Sequence, residues 1–184
     1  TTRYLSLLVM AKLIAPTTLP VEAKNPFARG SFTQCFVAMN QIDLSGRNAV
    51  VTGGARGIGY AISQRLLQSG AGVCIWDVDT DAAGEVEARL RRKGKQALAV
   101  AGDVGIGTDC RRIVVETVET FGGVDILVNN AGIQPPSAYQ NVENTSEEQW
   151  DRIIDVNLKA QFLMAKHVIP EMRKRDGGVI LNIA

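Results

Sequence analysis

Apolar positions along this chain follow two periods that take turns from residue 48 onward. Runs in which nearly every residue is apolar, such as Ala49-Val50-Val51 and Val73-Cys74-Ile75-Trp76, alternate with longer stretches in which apolar residues return every three or four positions. The first pattern fits strands buried on both faces, and the second fits amphipathic helices. Strands are predicted over 48–52, 72–76, 96–101, 124–128 and 179–183. Helices are predicted over 57–69, from a Thr80 or Asp81 N-cap to Gly94, over 108–121, and over 146–175. Alternation of this kind builds a parallel sheet with helices on both faces, so the fold class is α/β.

The helix signals can be read more finely. Ile58, Ile62, Leu66 and Leu67 form the expected core stripe of the first helix, and Ile113, Val114 and Val118 that of the third. Gly70, Gly94 and Gly122-Gly123 mark ends. Arg89, Arg91, Arg92 and Lys93 crowd the last turns of the second helix, where cations suit the dipole, and read as a solvated face. The last helix opens at Thr145 or Ser146, each able to form a capping box with Glu148 or Gln149, and Pro170 is expected to kink it.

Residues 1–41 stand outside the alternation. Their apolar run over 4–15 is interrupted by Lys12, and Pro16, Pro20, Pro26 and Gly30 follow, with Glu22 the only acid. They read as an unstructured extension, with organelle targeting by residues 1–38 as the alternative. The domain proper is expected to span 42–184.

Composition narrows the function classes. At 46% hydrophobic and 21% charged residues the chain is ordinary for one soluble domain. A net charge of +1 offers no field that would gather nucleic acid or an anionic membrane, and the run over 4–15 is too short to span a bilayer. Cys35, Cys74 and Cys110 are odd in number and widely spaced, and His167 has no second ligand at metal spacing. Neither a disulfide framework nor a metal site is expected, and a reducing cytoplasm fits.

The chemistry starts at Asn48-Ala49-Val50-Val51-Thr52-Gly53-Gly54-Ala55-Arg56-Gly57-Ile58-Gly59, where a strand turns directly into a helix. A helix N-terminus reached through glycines favours an anion, most often a phosphate. Gly53 can supply the turn's backbone angles, Gly57 can let a pyrophosphate approach, and Gly59 can let helix and strand pack closely. Arg56 and Ile58 complete the loop. Asp77 ends the second strand, where a carboxylate can accept from both hydroxyls of an adenine ribose. That points to NAD: a 2′-phosphate facing Asp77 costs on the order of 4 kcal/mol per like-charge pair at 4 Å and an effective dielectric of 20. NADP is the second choice, since in the family that the motifs below resemble an Arg at this place can meet that phosphate, but Arg56 can swing into solvent, and Asp79 and Asp81 only deepen the negative field.

Five features then recur in order: Thr-Gly-x-x-x-Gly-x-Gly, Asp77, Asp103-Val104, Asn129-Asn130-Ala131-Gly132 and Asn157. Together they resemble the short-chain dehydrogenase/reductase family over roughly residues 42–184, broadly like its 3-oxoacyl-carrier-protein reductases and glucose or polyol dehydrogenases. The resemblance implies a three-layer Rossmann fold with sheet order 3-2-1-4-5, and hydride transfer between the cofactor and a small-molecule alcohol or ketone. It implies that Asp103 accepts from the adenine amine while Val104 packs on the ring. Asn130, Ala131 and Gly132 would leave room for the nicotinamide ribose, and the Asn157 backbone would hold a water in the proton relay. It also implies a homotetramer built partly on the helix over 146–175, where Ile153, Ile154, Leu158, Phe162, Leu163 and Met164 exceed what one face needs.

One part of the family's pattern is missing. Its Ser, Tyr and Lys have no counterpart: Tyr4, Tyr60 and Tyr139 are followed four positions on by Leu8, Gln64 and Glu143. Asn182-Ile183-Ala184 is the run that in the family leads into the Ser. The chain therefore reads as a cofactor-binding half, truncated after strand five, inactive alone and left with that strand as an exposed edge. The alternative is a catalytically inactive dinucleotide-binding or redox-sensing module. An S-adenosylmethionine methyltransferase would share the Gly-rich turn and the acid after strand two, but would not account for the Asn-Asn-Ala-Gly string.

Overall fold

The computed structural model describes residues 3–4, 42–136 and 141–183. In chain order these hold β1 (Arg3–Tyr4), β2 (Asn48–Thr52), α1 (Gly57–Gln68), β3 (Gly72–Asp77), α2 (Thr80–Arg91), β4 (Ala97–Ala101), α3 (Gly107–Phe121) and β5 (Ile126–Asn129). A short 3-10 turn (Val142–Asn144), α4 (Glu147–Ile154), a π-helical turn (Asp155–Lys159), α5 (Ala160–Arg173) and β6 (Val179–Asn182) complete it.

The strands form one parallel sheet in the order β1-β6-β5-β2-β3-β4. From β2 onward this is the expected order 3-2-1-4-5. All of β2 and all of β3 except Asp77 are buried, as a sheet covered on both faces requires. The period of two then sorts side chains between layers. Val50, Cys74, Trp76, Leu127 and Ile180 join Ile113 and Val114 of α3 and Met164, Val168 and Met172 of α5 in one core. Ala49, Val51, Val73, Ile75 and Val128 join Leu67 of α1 and Val86 and Leu90 of α2 in the other. Trp76 is fully buried, and its indole Nε1 donates to the Gly102 carbonyl at 2.7 Å, so its polar atom is satisfied.

Several expectations are corrected. The edge of the sheet beyond β6 is not bare, because the Arg3–Tyr4 backbone pairs with Val179 and Ile180. The rest of the expected extension over 1–41 lies outside the described residues. In α1 the buried positions are Gly59, Ser63 and Leu67, and Ile58 is 67% exposed. Close approach of the loop at Gly59 draws the small-residue side of α1 inward and turns Ile58 out. The α2 cap is Asp79, whose extended backbone lets the side chain accept from Ala82 N, rather than Thr80 or Asp81. The basic end of α2 is not simply solvated: Arg91 Nε donates to the Ala97 carbonyl at 2.9 Å and Arg89 stacks 4.7 Å over the Tyr60 ring. Strand four begins at Ile126, because Asp125 just before it turns its carboxylate to Arg47 and Arg175. The single helix over 146–175 is three segments, interrupted by the π turn and ending at Arg173. Ser146 and Gln149 do form the capping box. No helix among the described residues is long and apolar enough to cross a membrane.

Candidate functional site

The carboxyl ends of β2, β3, β4 and β5 open onto one cleft of about 260 Å³. Its walls include Gly53 and Arg56 after β2, Asp77 and Val78 after β3, Asp103 and Val104 after β4, and Asn130, Ala131 and Gly132 after β5. Parallel strands deliver all four loops to the same edge, which is where ligands bind open α/β sheets. Eight of the twelve residues singled out in the sequence thus line one space. Gly57, Ile58 and Gly59 stand at the start of α1, and Asn157 does not line the cleft but is hydrogen-bonded to Ile133, which does.

The glycine loop is held from both sides. Gly53 has φ +62° and Gly57 φ +52°, conformations that L side chains rarely adopt. A Cβ at Gly57 would meet open space, whereas one at Gly59 would lie 2.1 Å from the Gly53 carbonyl oxygen and 2.5 Å from Asn130 Nδ2. Gly59 therefore serves contact between helix and loop more than contact between helix and strand. Asn130 Nδ2 donates to the Thr52 and Gly53 carbonyls at 3.0 and 3.3 Å. Thr52 Oγ1 accepts from the backbone N–H groups of Asn130 and Ala131 at 2.9 and 3.0 Å. The first-turn N–H groups of any helix lack an intrahelical partner, and in α1, in contrast to α2 and α4, no side chain caps them.

The acids are also arranged. Asp77 accepts from Ala55 N and Asp79 N, each at 3.1 Å, which pins its carboxylate between the loop after β2 and the turn after β3. Arg56 does reach into solvent, its side chain 71% exposed, and there it is ion-paired with Asp79. The Ala82 amide and the Arg56 charge outweigh desolvation and hold the Asp79 carboxyl below its ordinary range. Asp103 Oδ1 accepts from Gly105 N at 2.8 Å and Oδ2 lies 2.8 Å from Arg152 Nη2. Burial raises the Asp103 pKa, but these bonds and the Arg152 charge overcome it and leave the carboxyl lowered. Burial pushes Cys74 up to about 12 and Cys110 up to about 11, so neither thiol is a nucleophile at neutral pH.

Asn157 lies in the π turn. Its Oδ1 accepts from Ile133 N at 2.8 Å and its Nδ2 donates to the Ile133 carbonyl at 3.0 Å, while its own carbonyl accepts from Gln161 Nε2 at 2.9 Å. It thus ties the helix to the loop that carries Asn130, Ala131 and Gly132. Thr52, Ile133, Arg152 and Val156 belong to this constellation and were not singled out beforehand. Arg152 and Val156 share a helix face at i, i+4, the one sequence signal that could have found them.

Comparison with known proteins shows the family. The family model described as short chain dehydrogenase matches residues 47–184. An uncharacterized oxidoreductase of Thermotoga maritima is 40% identical over 143 residues, covering 78% of this chain and 55% of that protein. Dehydrogenase/reductase SDR family member 4 of Sus scrofa is 40% identical over 141 residues, covering 77% of this chain and 50% of that protein. The chain thus spans about half the length of the curated relatives it matches. Among solved structures, a 7 alpha-hydroxysteroid dehydrogenase complexed with NADH and 7-oxo glycochenodeoxycholic acid superimposes with a TM-score of 0.73 at 33% identity, covering 78% of this chain and 55% of that one. With the sheet order, the loop geometry and the family match in agreement, the chain belongs to the short-chain dehydrogenase family, with that family's Rossmann-type fold.

Proposed function

We propose that this chain holds NAD for an oxidoreductase that moves a hydride between nicotinamide and a secondary alcohol or ketone. The observation that carries the proposal is the convergence, on one cleft, of a glycine loop leading into an uncapped helix, the Asp77 carboxylate and the Asn130-Ala131-Gly132 backbone. An anion at the α1 start, two hydroxyls at Asp77 and a flat ring beside Val104 are three parts of one dinucleotide. The open space at Gly57 fits a pyrophosphate, and the small residues after β5 fit the nicotinamide ribose. The structural neighbour complexed with NADH supports the same cofactor class and a small-molecule substrate.

When bound, NAD supplies the hydride acceptor. Around it, the glycine loop would hold phosphate through backbone N–H groups, and Asp77 would orient the adenine ribose while repelling a 2′-phosphate. Asp103, still with lone pairs to spare beside Arg152, would accept from the adenine amine. Asn157 would set the position of the loop over 130–133 through its two bonds to Ile133. No Tyr-x-x-x-Lys occurs in the sequence, so the chain by itself offers no such base for the substrate's hydroxyl proton and is expected to bind cofactor without turnover. Near-neutral charge supports neither a nucleic-acid nor a membrane partner, and buried free thiols at Cys74 and Cys110 suit a cytoplasmic setting.

The test is titration of NAD and NADP against the parent chain and Asp77→Ala. NAD should bind more tightly to the parent. Asp77→Ala should narrow or reverse that preference, because it removes both the ribose acceptor and the repulsion. Equal affinities in the parent would sink the NAD assignment.

A further inference from the structure

We propose that Arg152 is a positioning residue: by gripping one oxygen of Asp103 it fixes the carboxylate so that the cleft separates an adenine, which offers an exocyclic amine, from a purine that carries an oxygen in its place. The inference rests on the dinucleotide reading above and deepens it.

Arg152 lines the same cleft as Asp103 but comes from a different part of the chain, the last turn of α4. None of the eight residues of α4 is buried, so the helix offers this guanidinium to the cleft instead of packing it away. There its Nη2 lies 2.8 Å from Asp103 Oδ2. Gly105 leaves room for the meeting: a Cβ at that position would lie 3.2 Å from Asp103 Oδ1 and 3.3 Å from Arg152 Nη1.

Asp103 is held at three points. Its backbone N–H donates to Asp109 Oδ2 at 2.9 Å, its Oδ1 accepts from Gly105 N at 2.8 Å, and its Oδ2 takes Arg152. The first two alone would leave the carboxylate free to pivot about its one bonded oxygen, and Arg152 removes that freedom from another element. Against the desolvation of burial, the Arg152 and Gly105 bonds hold the carboxyl below its ordinary range, so at neutral pH it only accepts. Each oxygen keeps a further lone pair, now aimed in a fixed direction. An amine finds an acceptor there, whereas a carbonyl oxygen meets like partial charge and leaves the acceptor unpaired.

The experiment reads dissociation constants for NAD and nicotinamide hypoxanthine dinucleotide by calorimetry. The parent should bind NAD about tenfold more tightly, Arg152→Met should bring the two within about threefold, and Arg152→Lys, which keeps a charge and a donor, should retain most of the preference. Exposed pairs contribute little to stability, so loss of this half-exposed one leaves the domain folded. Gly105→Ala crowds both partners while removing neither charge and should lower the ratio in the same direction. Asp103→Ala should bring the two ligands within about twofold, and adding Arg152→Met should change the ratio no further. A parental ratio kept in Arg152→Met overturns the inference, as does an equal loss for both dinucleotides. So does an Arg152→Met effect of the same size without Asp103, which would put Arg152 on the ligand itself. A parent that binds NAD but does not separate the two dinucleotides overturns the inference and leaves the cofactor reading standing, whereas a parent that binds neither overturns both.

Discussion

Gly57 and Gly59 stand two positions apart and respond differently to an added side chain. At Gly59 a Cβ would overlap the Gly53 carbonyl, at 2.1 Å, and crowd Asn130 Nδ2. Gly59→Ala should therefore cost roughly 1–3 kcal/mol of stability, and Gly59→Val more, with dinucleotide binding weakened in parallel. Gly57 meets open space but has φ +52°, so Gly57→Ala should cost about 1–2 kcal/mol through the backbone alone. Its larger effect should be on NAD affinity, since the methyl group would occupy the room proposed for the pyrophosphate. Urea unfolding together with NAD titration separates the two. A Gly59→Val chain with parental stability and affinity would mean that the loop is not packed as described.

Among the elements, the break in the long helix has the clearest consequence. The π turn is a place where the i→i+4 pattern gives way, and such turns often sit at functional sites. Here it carries Asn157, whose amide side chain satisfies both backbone polar groups of Ile133. Asn157→Ala should leave those groups without their partner and cost about 1–3 kcal/mol. Amide hydrogen exchange supplies the direct measurement, because the Ile133 N–H donates to Asn157 Oδ1 and should exchange faster in the variant. Unchanged protection at Ile133 would show that the loop over 130–133 is held by something other than the helix.

At the scale of the molecule, the end of the sheet opposite the cleft is held by one buried acid. The Asp125 side chain is 3% exposed; it lies 2.9 Å from Arg47 Nη1 and 3.0 Å from Arg175 Nε, and accepts from Asn48 N. It thereby joins the starts of β2 and β5 to the turn before β6. Burial raises its pKa, but the Arg175 and Asn48 bonds and the Arg47 bond outweigh burial and leave it lowered. A carboxyl with a depressed folded pKa contributes stability that is complete above its unfolded value, about 3.9, and is lost as pH falls through the folded value. Asp125→Asn should therefore cost about 2 kcal/mol near neutral pH, with the difference from the parent shrinking below about pH 4. A pH-independent difference in urea unfolding would contradict this. On the flank of the sheet, where α3 and α5 pack together, Val115 of α3, Leu158 of the π turn and Phe162 of α5 are exposed, the last two at 61% and 63%. We propose that these residues are covered by another copy of the chain, as the family resemblance implies. Phe162→Glu should then shift light-scattering mass downward, and a parent that is already monomeric at micromolar concentration would remove the proposal.

The sequence by itself determined the α/β class, the position of each principal strand, the glycine loop and the acid at the end of β3. Those features leave local signals: a period of two or 3.6, a glycine where the backbone needs one, a polar residue where an apolar run stops. It also pointed to the Asn-Asn-Ala-Gly string through its place at a strand's carboxyl end. Only the tertiary structure decided which polar groups meet. Arg56 with Asp79, Arg152 with Asp103, Asn157 with Ile133 and Asp125 with two arginines join residues far apart in the chain, and no period connects them. The helix over 146–175 reads as continuous because its apolar spacing carries no trace of a π turn. The outward turn of Ile58 likewise depends on Gly59 meeting Gly53 and Asn130, a contact that exists only once β2, β5 and α1 have packed. Backbone periodicity is written residue by residue, whereas the partner of a charge or an amide is settled by which loops the folded sheet brings to the same edge.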